Sequence, residues 1–493
     1  MTRFVRRAVS LLSGAALLAL APGARAYDPG TTHAGLTERA VLASALHHVL
    51  AHQLSRPLGL FEPVVLRRGD LDTNEARLLG GRLDALDPSG GYRPGPDGAA
   101  PALAWVVAGA VVAETPAERG RNLFYDPARG SGLAQGGGAF QLGHDIRMLF
   151  VEGGGARGAA TGTTFNLTGP PSTEWLVARD NDVGLQAFYT ALEAAVAGEA
   201  PGPRGTALAR ALLALGGTLA VLEDAGDPAH VRNDFRGAYL STNGTSPFDR
   251  GSAFERYVAE TFGQSGVPAP ATPVHRPTVM AYITAADAQG LADRTQRRFF
   301  SDGTLPENVV VDRDTTAAEV MHDARDSLPY ALPALPHLDL AAIGDTRYAY
   351  APREPGAAAQ PRRRLIGYLR LPGRVRFFLD RAVYQDTARA LLPEIGAYAA
   401  GLIDHLFRAK IQLELAAGAV AVTVTGAQGN VRRGEVRLYA EDAAGHRRPF
   451  ATAPAAATPT RLTVPAGTRR IAAVLRGEDD AGDLVAVAEQ PVL

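Results

Sequence analysis

The sequence predicts a mainly α-helical body followed by a small C-terminal β-sandwich, and three observations carry that prediction. Apolar residues recur at helical spacing over long stretches up to residue 410, most clearly in 209–234, ARALLALGGTLAVLEDAGDPAHVRND. From Ile411 the pattern turns to short alternating runs separated by Gly-, Pro- and Asp-rich turns. No stretch beyond the N-terminal leader reaches about 18 consecutive apolar residues, so no membrane-spanning segment is expected. The resulting division is a leader at 1–26, a helical domain at 27–410 and an immunoglobulin-like sandwich at 411–493.

The leader carries Arg3, Arg6 and Arg7, an apolar run through Leu20, and Ala24-Arg25-Ala26, which satisfies the small-x-small rule for signal-peptide cleavage. The expectation is export to the periplasm or beyond, with Tyr27 as the new N-terminus. Removing four arginines and no acid takes the formal charge from −1 to −5, so no general basic character remains to favour nucleic acid. With no cysteine, disulfides and thiolate metal sites are excluded, and any metal must use His, Asp, Glu or the chain terminus. Arginine replaces lysine everywhere except Lys410, and with the abundance of Ala, Gly and Pro this suggests a GC-rich bacterial genome.

Taken in order, apolar positions from Leu36 to Leu50 mark the first helix, with His33 just before it as a cap or a ligand. His47, His48 and His52 follow; the His48/His52 spacing of four suits a partly solvated face or a metal pair. Residues 57–101 are Gly-, Asp- and Pro-rich, and their Arg68-Gly69-Asp70 triplet reads as chance. Residues 101–114 form an apolar helix ending at Glu114. The glycine-rich 136–164 lacks a Gly-Lys-Ser/Thr phosphate loop, reads as a surface loop and holds His144. Residues 165–200 lead as helical packing into the central helix, whose last turn carries Asp224. A carboxylate is disfavoured at that dipole end, so a positive partner is expected. Pro228 turns the chain back and can bring His230 near Asp224, as a metal pair or as a capped helix end with a hydrogen-bonded histidine. Ser252 and Glu255 form a capping box for the next helix. Helical segments are expected near 278–299 and 317–330, and a helix over 375–410 that Pro393 should kink or split.

LGGTLAVLEDAGDPAHVRND resembles the core signature of zinc-dependent phospholipase C and the related single-strand-specific zinc nucleases, whose helix carries His-x3-Asp-x5-His. Asp224, Pro228 and His230 match, whereas Ala220 stands at the first histidine position. The phrase Asn122-Leu123-Phe124-Tyr125-Asp126-Pro127 is similar to the family's Asn-His-Phe-Tyr-Asp-Pro, with leucine in place of the ligand. The resemblance implies a phospholipase C/nuclease-like helical domain and up to three zinc ions. It implies one site from the Tyr27 terminus, His33 and Asp224; a second, sharing Asp224, with Glu114; and a third with His230 and Glu255, where Gly251 replaces a histidine. Asp224 and Glu114 would be its catalytic carboxylates, and one retained Zn2+ site is expected unless replacement ligands such as His144 or His48 exist. A phospholipid or other phosphodiester is the implied substrate. The alternative is a catalytically degenerate relative that binds or supports. The sandwich offers no catalytic set, reads as an accessory or docking domain, and its partner is not identified by the sequence.

Overall fold

The computed structural model describes residues 27–115, 117–133, 140–141, 164–165, 169–234, 252–263, 272–305, 308–310, 338, 340, 343–352, 362–429 and 431–492. The leader, His144, Gly251 and the helix expected at 317–330 lie outside the described residues. The chain is mainly helical with a C-terminal β-sandwich, as its patterning predicts.

A π-turn at Pro29–His33 leads into α1 (Ala34–Ala43). The expected first helix breaks after Ala43: Ser44 is extended, and Leu46–His48 and Val49–Gln53 resume as short turns. β1 (Pro63–Val65) and β2 (Ala99–Pro101) pair antiparallel and bracket α2 (Thr73–Asp84). An Asp72/Glu75 capping box starts α2, with both reciprocal bonds formed. The RGD triplet is engaged within the chain, Arg68 with Asp84 and Asp70 with the Thr206 hydroxyl at 2.7 Å.

α3 (Ala102–Ala113) is apolar all round and all but one of its residues are buried, as expected of a helix with no solvent face. After α4 (Ser172–Val177) and α5 (Leu185–Ala197) comes the central helix, α6 (Pro201–Asp224). It begins eight residues before the periodic stretch read from sequence, because Pro201 suits the first helical turn. α6 is the one described helix long and apolar enough to cross a membrane, and 89 % of its most apolar window is buried inside the protein.

α3 and α6 pack through glycine against glycine. A Cβ at Gly109 would lie 2.0 Å from the Leu213 carbonyl oxygen, and one at Gly216 would lie 1.9 Å from the Val106 carbonyl oxygen and 2.9 Å from the Gly109 Cα. No side chain fits between the two backbones, so these glycines set how closely the helices approach. Glu114 and Asp224 stand at the C-terminal ends of the two helices.

α7 (Ala253–Thr261) begins at the Ser252/Glu255 box, where Glu255 N–H donates to Ser252 Oγ (3.1 Å) and Ser252 N–H donates to Glu255 Oε2 (2.7 Å). α8 (Val279–Ile283) and α9 (Leu291–Arg298) divide the helical segment expected near 278–299. A four-stranded antiparallel sheet was not legible in the sequence. It comprises β3 (Asn308–Val310), β4 (Thr346–Tyr350), β5 (Arg364–Leu371) and β6 (Arg374–Phe378), in the order β3-β6-β5-β4.

β6 corrects the expected helix over 375–410. Its RVRFF alternates with a period of two, turning Val375 and Phe377 inward and Arg374 and Arg376 out. α10 (Arg381–Leu406) then runs across Pro393 as one helix, so of the expected kink or split the split does not occur. Proline forfeits a single backbone bond there, while Leu391, Leu392, Ile395 and Ala399 bury the helix on both sides of it.

Two sheets form the C-terminal unit. One contains β7 (Lys410–Ala416), β8 (Ala419–Thr425) and β11 (Thr460–Thr463) in the order β11-β8-β7. The other contains β9 (Glu435–Glu441), β10 (Arg447–Pro454), β12 (Arg470–Asp479) and β13 (Gly482–Pro491) in the order β10-β9-β12-β13. β10 escaped the sequence reading because RRPFATAP contains two prolines, which a sheet tolerates at its edge, where β10 lies.

The strands β12 and β13 are buried on both faces. Ile471, Ala473 and Leu475 point into the sandwich core with Leu484, Ala486 and Ala488, whereas Ala472, Val474, Val485 and Val487 join the core of the helical body. The outward face of this sheet is thus covered by the chain's own α5, with Tyr189 Oη donating to the Asp483 carbonyl (3.2 Å) and Arg447 to that of Val196 (2.8 Å).

Replacing Gly216 with alanine is expected to destabilise the protein by roughly 1–3 kcal/mol or more, because the added methyl must separate α3 from α6. Denaturant unfolding checks this, with the exposed-face Gly81→Ala, where a Cβ meets nothing within 4 Å, as the neutral control.

Candidate metal centre

His33, Glu114 and Asp224 converge between α1, α3 and α6, all fully buried. Among the described residues they are the group of three whose ligand-type atoms lie within 4.8 Å of one another. His33 Nε2 is 2.7 Å from Glu114 Oε1 and 3.2 Å from Asp224 Oδ1. Neither approach has hydrogen-bond directionality, so Nε2 and all four oxygens of the two carboxylates are buried without a bonding partner. Such atoms are costly unless something satisfies them.

On the other side of the imidazole, His33 Nδ1 lies 2.5 Å from Glu223 Oε2, and Glu223 Oε1 accepts from the Thr37 hydroxyl at 2.8 Å. The sequence reading missed Glu223. Its signal was two adjacent acids closing a helix that is apolar on every side, since such a helix cannot turn either acid to water.

Electrostatically the cluster is unbalanced. Among the described residues, the ion pairs of Glu114, Glu223 and Asp224 are all with His33, so three carboxylates face at most one positive charge. Burial raises Asp224 well above the usual carboxylate range against the opposing pull of His33, and burial likewise raises Glu223. Burial alone would lower His33, but Asp224 and Glu114 outweigh it and lift the imidazole well above its ordinary value. The group is therefore short of positive charge, and the dipole argument at Asp224 finds its answer in His33 rather than in a lysine or arginine.

These donors suit a divalent ion. One imidazole nitrogen and two carboxylates form the three-protein-ligand set of an open zinc site, with a remaining position for water or substrate. His33 makes no side-chain capping bond, and its ring turns inward with Tyr27 edge-on at 5.8 Å. Tyr27 is itself fully buried, its hydroxyl donating to the Gly226 carbonyl at 3.1 Å. The sequence resemblance places His33 and Glu114 in different sites that share Asp224; the structure brings the three together.

The remaining sequence candidates lie outside this group of three among the described residues. After α6 the chain turns at Asp227, and His230 is not among the three residues of that group. Asp227 accepts the backbone N–H groups of Ala229 (2.6 Å) and His230 (3.3 Å), which closes a short 3-10 turn. There His230 stacks on Phe124 with ring centroids 4.0 Å apart, and Nδ1 meets the Leu123 carbonyl at 3.3 Å. Burial lowers its pKa to about 3, so the ring is neutral. Glu255 serves its capping box, and burial followed by the nearby Asp227 pushes its carboxyl well up. His48 and His52 are exposed with ring centroids 4.2 Å apart, remote from the buried cluster in burial and in element.

No family model and no curated protein matches the sequence. Among solved structures, the chain is similar to the alpha toxin from Clostridium absonum, at 10 % identity over 96 % of both chains with a TM-score of 0.29. It is also similar to the alpha-toxin of Clostridium perfringens avian strain SWCP, at 9 % identity over 96 % of this chain and 100 % of that one, with a TM-score of 0.26. At those scores neither similarity bears on the site.

Because like charges crowd this centre, Glu114→Gln should raise stability in the metal-free protein by on the order of 1 kcal/mol while weakening metal binding. Thermal unfolding in chelator and then in zinc checks both halves, and a loss of stability in chelator would contradict the charge-crowding account.

Proposed function

We propose that the chain is an exported, zinc-dependent protein of the phospholipase C and zinc-nuclease kind with a reduced metal centre, hydrolysing phosphodiesters if the centre is accessible. One observation carries the metal: a histidine nitrogen and four carboxylate oxygens, buried together and unbonded, in a pocket of excess negative charge. Supporting the family are the ED-x3-P-x-H phrase, the FYDP phrase and His33 shortly after the expected cleavage point, in the family's order.

In this reading His33 Nε2, Asp224 and Glu114 hold the ion, and the amine of Tyr27, freed by leader cleavage, is a candidate fourth donor. When bound, zinc there would polarise a phosphoryl oxygen and lower the pKa of a coordinated water toward neutrality. Glu114 and Asp224 would supply carboxylate oxygens to the ion, with Asp224 fixed at the end of α6. His230 and Glu255 lie outside this three-residue group. Phospholipid is favoured over nucleic acid because the expected mature charge is −5.

A second reading, a degenerate relative that keeps one structural ion, is favoured by the complete burial of His33, Glu114 and Asp224. Elemental analysis of the untagged mature protein tests the metal, and about one zinc per chain is expected, with Asp224→Ala losing most of it. A metal-free protein would overturn the proposal. Chelator-sensitive turnover of phosphatidylcholine vesicles or of a synthetic phosphodiester, restored by zinc, would select the enzyme; zinc without turnover would select the structural ion.

A further inference from the structure

Glu223 lies on the far side of the His33 ring from the unbonded carboxylates. Its Oε2 faces Nδ1 at 2.5 Å while Glu114 and Asp224 face Nε2, so Glu223 cannot share an ion with them through the same ring nitrogen. A carboxylate facing Nδ1 of a neutral imidazole selects the tautomer that carries its proton there, which leaves the Nε2 lone pair directed at Glu114 and Asp224. Glu223 is itself held: its second oxygen accepts from Thr37 Oγ1 at 2.8 Å, and all three side chains are fully buried.

The covalent arrangement reinforces this. Thr37 follows His33 by four residues, so the two share one face of the first helical segment, and Glu223 precedes Asp224 directly at the end of α6. Two chain segments thus supply an inner pair, His33 and Asp224, and an outer pair, Thr37 and Glu223.

Resting on the metal reading above, we infer that Glu223 is a positioning residue that, held by Thr37, fixes the tautomer and orientation of His33 so that Nε2 is presented to a divalent cation between Glu114 and Asp224. Outer partners of metal-bound histidines typically contribute 10–100-fold in affinity. Glu223→Gln keeps the shape and removes the charge, and Thr37→Val removes only the hydroxyl that holds Glu223.

The test uses the full mature chain. Zinc affinity is measured by competition with a chromophoric chelator, and the His33 tautomer by long-range 1H–15N correlation with His33→Gln for assignment. The expected result is a roughly 10–100-fold loss of zinc affinity in Glu223→Gln and a smaller loss in Thr37→Val. His33 should show a single Nδ1–H tautomer in the unmutated, zinc-loaded protein and a mixed or reversed one in Glu223→Gln. Unchanged affinity and an unchanged His33 pattern in a folded Glu223→Gln protein would overturn the positioning role while leaving the metal reading intact. Absence of zinc from the unmutated protein would overturn the metal reading and this proposal together.

Discussion

The close approach of α3 and α6 is the constraint on which the rest of this structure depends. Helix axes ordinarily lie 8–10 Å apart with side chains between them. Here Gly109 and Gly216 allow backbone to meet backbone, and neither position has room for a Cβ. Because both helices are buried nearly all round, neither can rotate its acidic end to water. Glu114 and Asp224 are consequently forced into one dry space, and His33, at the start of α1, closes it.

That geometry creates a deficit that ordinary packing does not resolve. Replacing the acids with apolar residues would remove the unbonded oxygens, since a buried charge is rarely the most stable filling for a core. Retaining three carboxylates around one imidazole makes sense if a cation completes the group, because coordination satisfies oxygens and charge together. Until then protons must do that work, and burial accordingly pushes the Asp224 and Glu223 carboxyls up while the carboxyl groups beside His33 push its imidazole up.

What the sequence made legible follows the range of each signal. Local signals read well: the apolar run of α6, the Ser252/Glu255 box and the alternating strands from residue 410 have their causes within a few residues. The convergence of Glu114 on Asp224 depended on two glycines whose role exists only across the helix pair, so no spacing rule disclosed that His33 and Glu114 share one centre. His230 takes the hydrogen-bonded alternative, with Nδ1 at the Leu123 carbonyl, and the turn that carries it has a local cause. Asp227 accepts the N–H groups of residues two and three ahead, and those bonds shape the turn. β6 and β10 escaped because a five-residue alternation beside a long helix, and a strand containing proline, are each outvoted by their surroundings.

The C-terminal sheet is linked to the same core. A sandwich acting as a free docking module would alternate apolar and polar residues on its outer sheet, yet β12 and β13 are apolar on both faces. The second face is used internally, against α5, and α5 packs in turn on α6. Arg447, nearly inaccessible, ties the two units by bonding the Val196 carbonyl at the end of α5 while pairing with Glu441 and Glu489 on the sheet. Removing the sandwich would therefore expose Ala472, Val474, Val485 and Val487 together with the face of α5 they cover, and it would loosen the helix that braces α6 behind Asp224. The unit thus serves as an outer wall of the helical scaffold that carries the His33, Glu114 and Asp224 cluster.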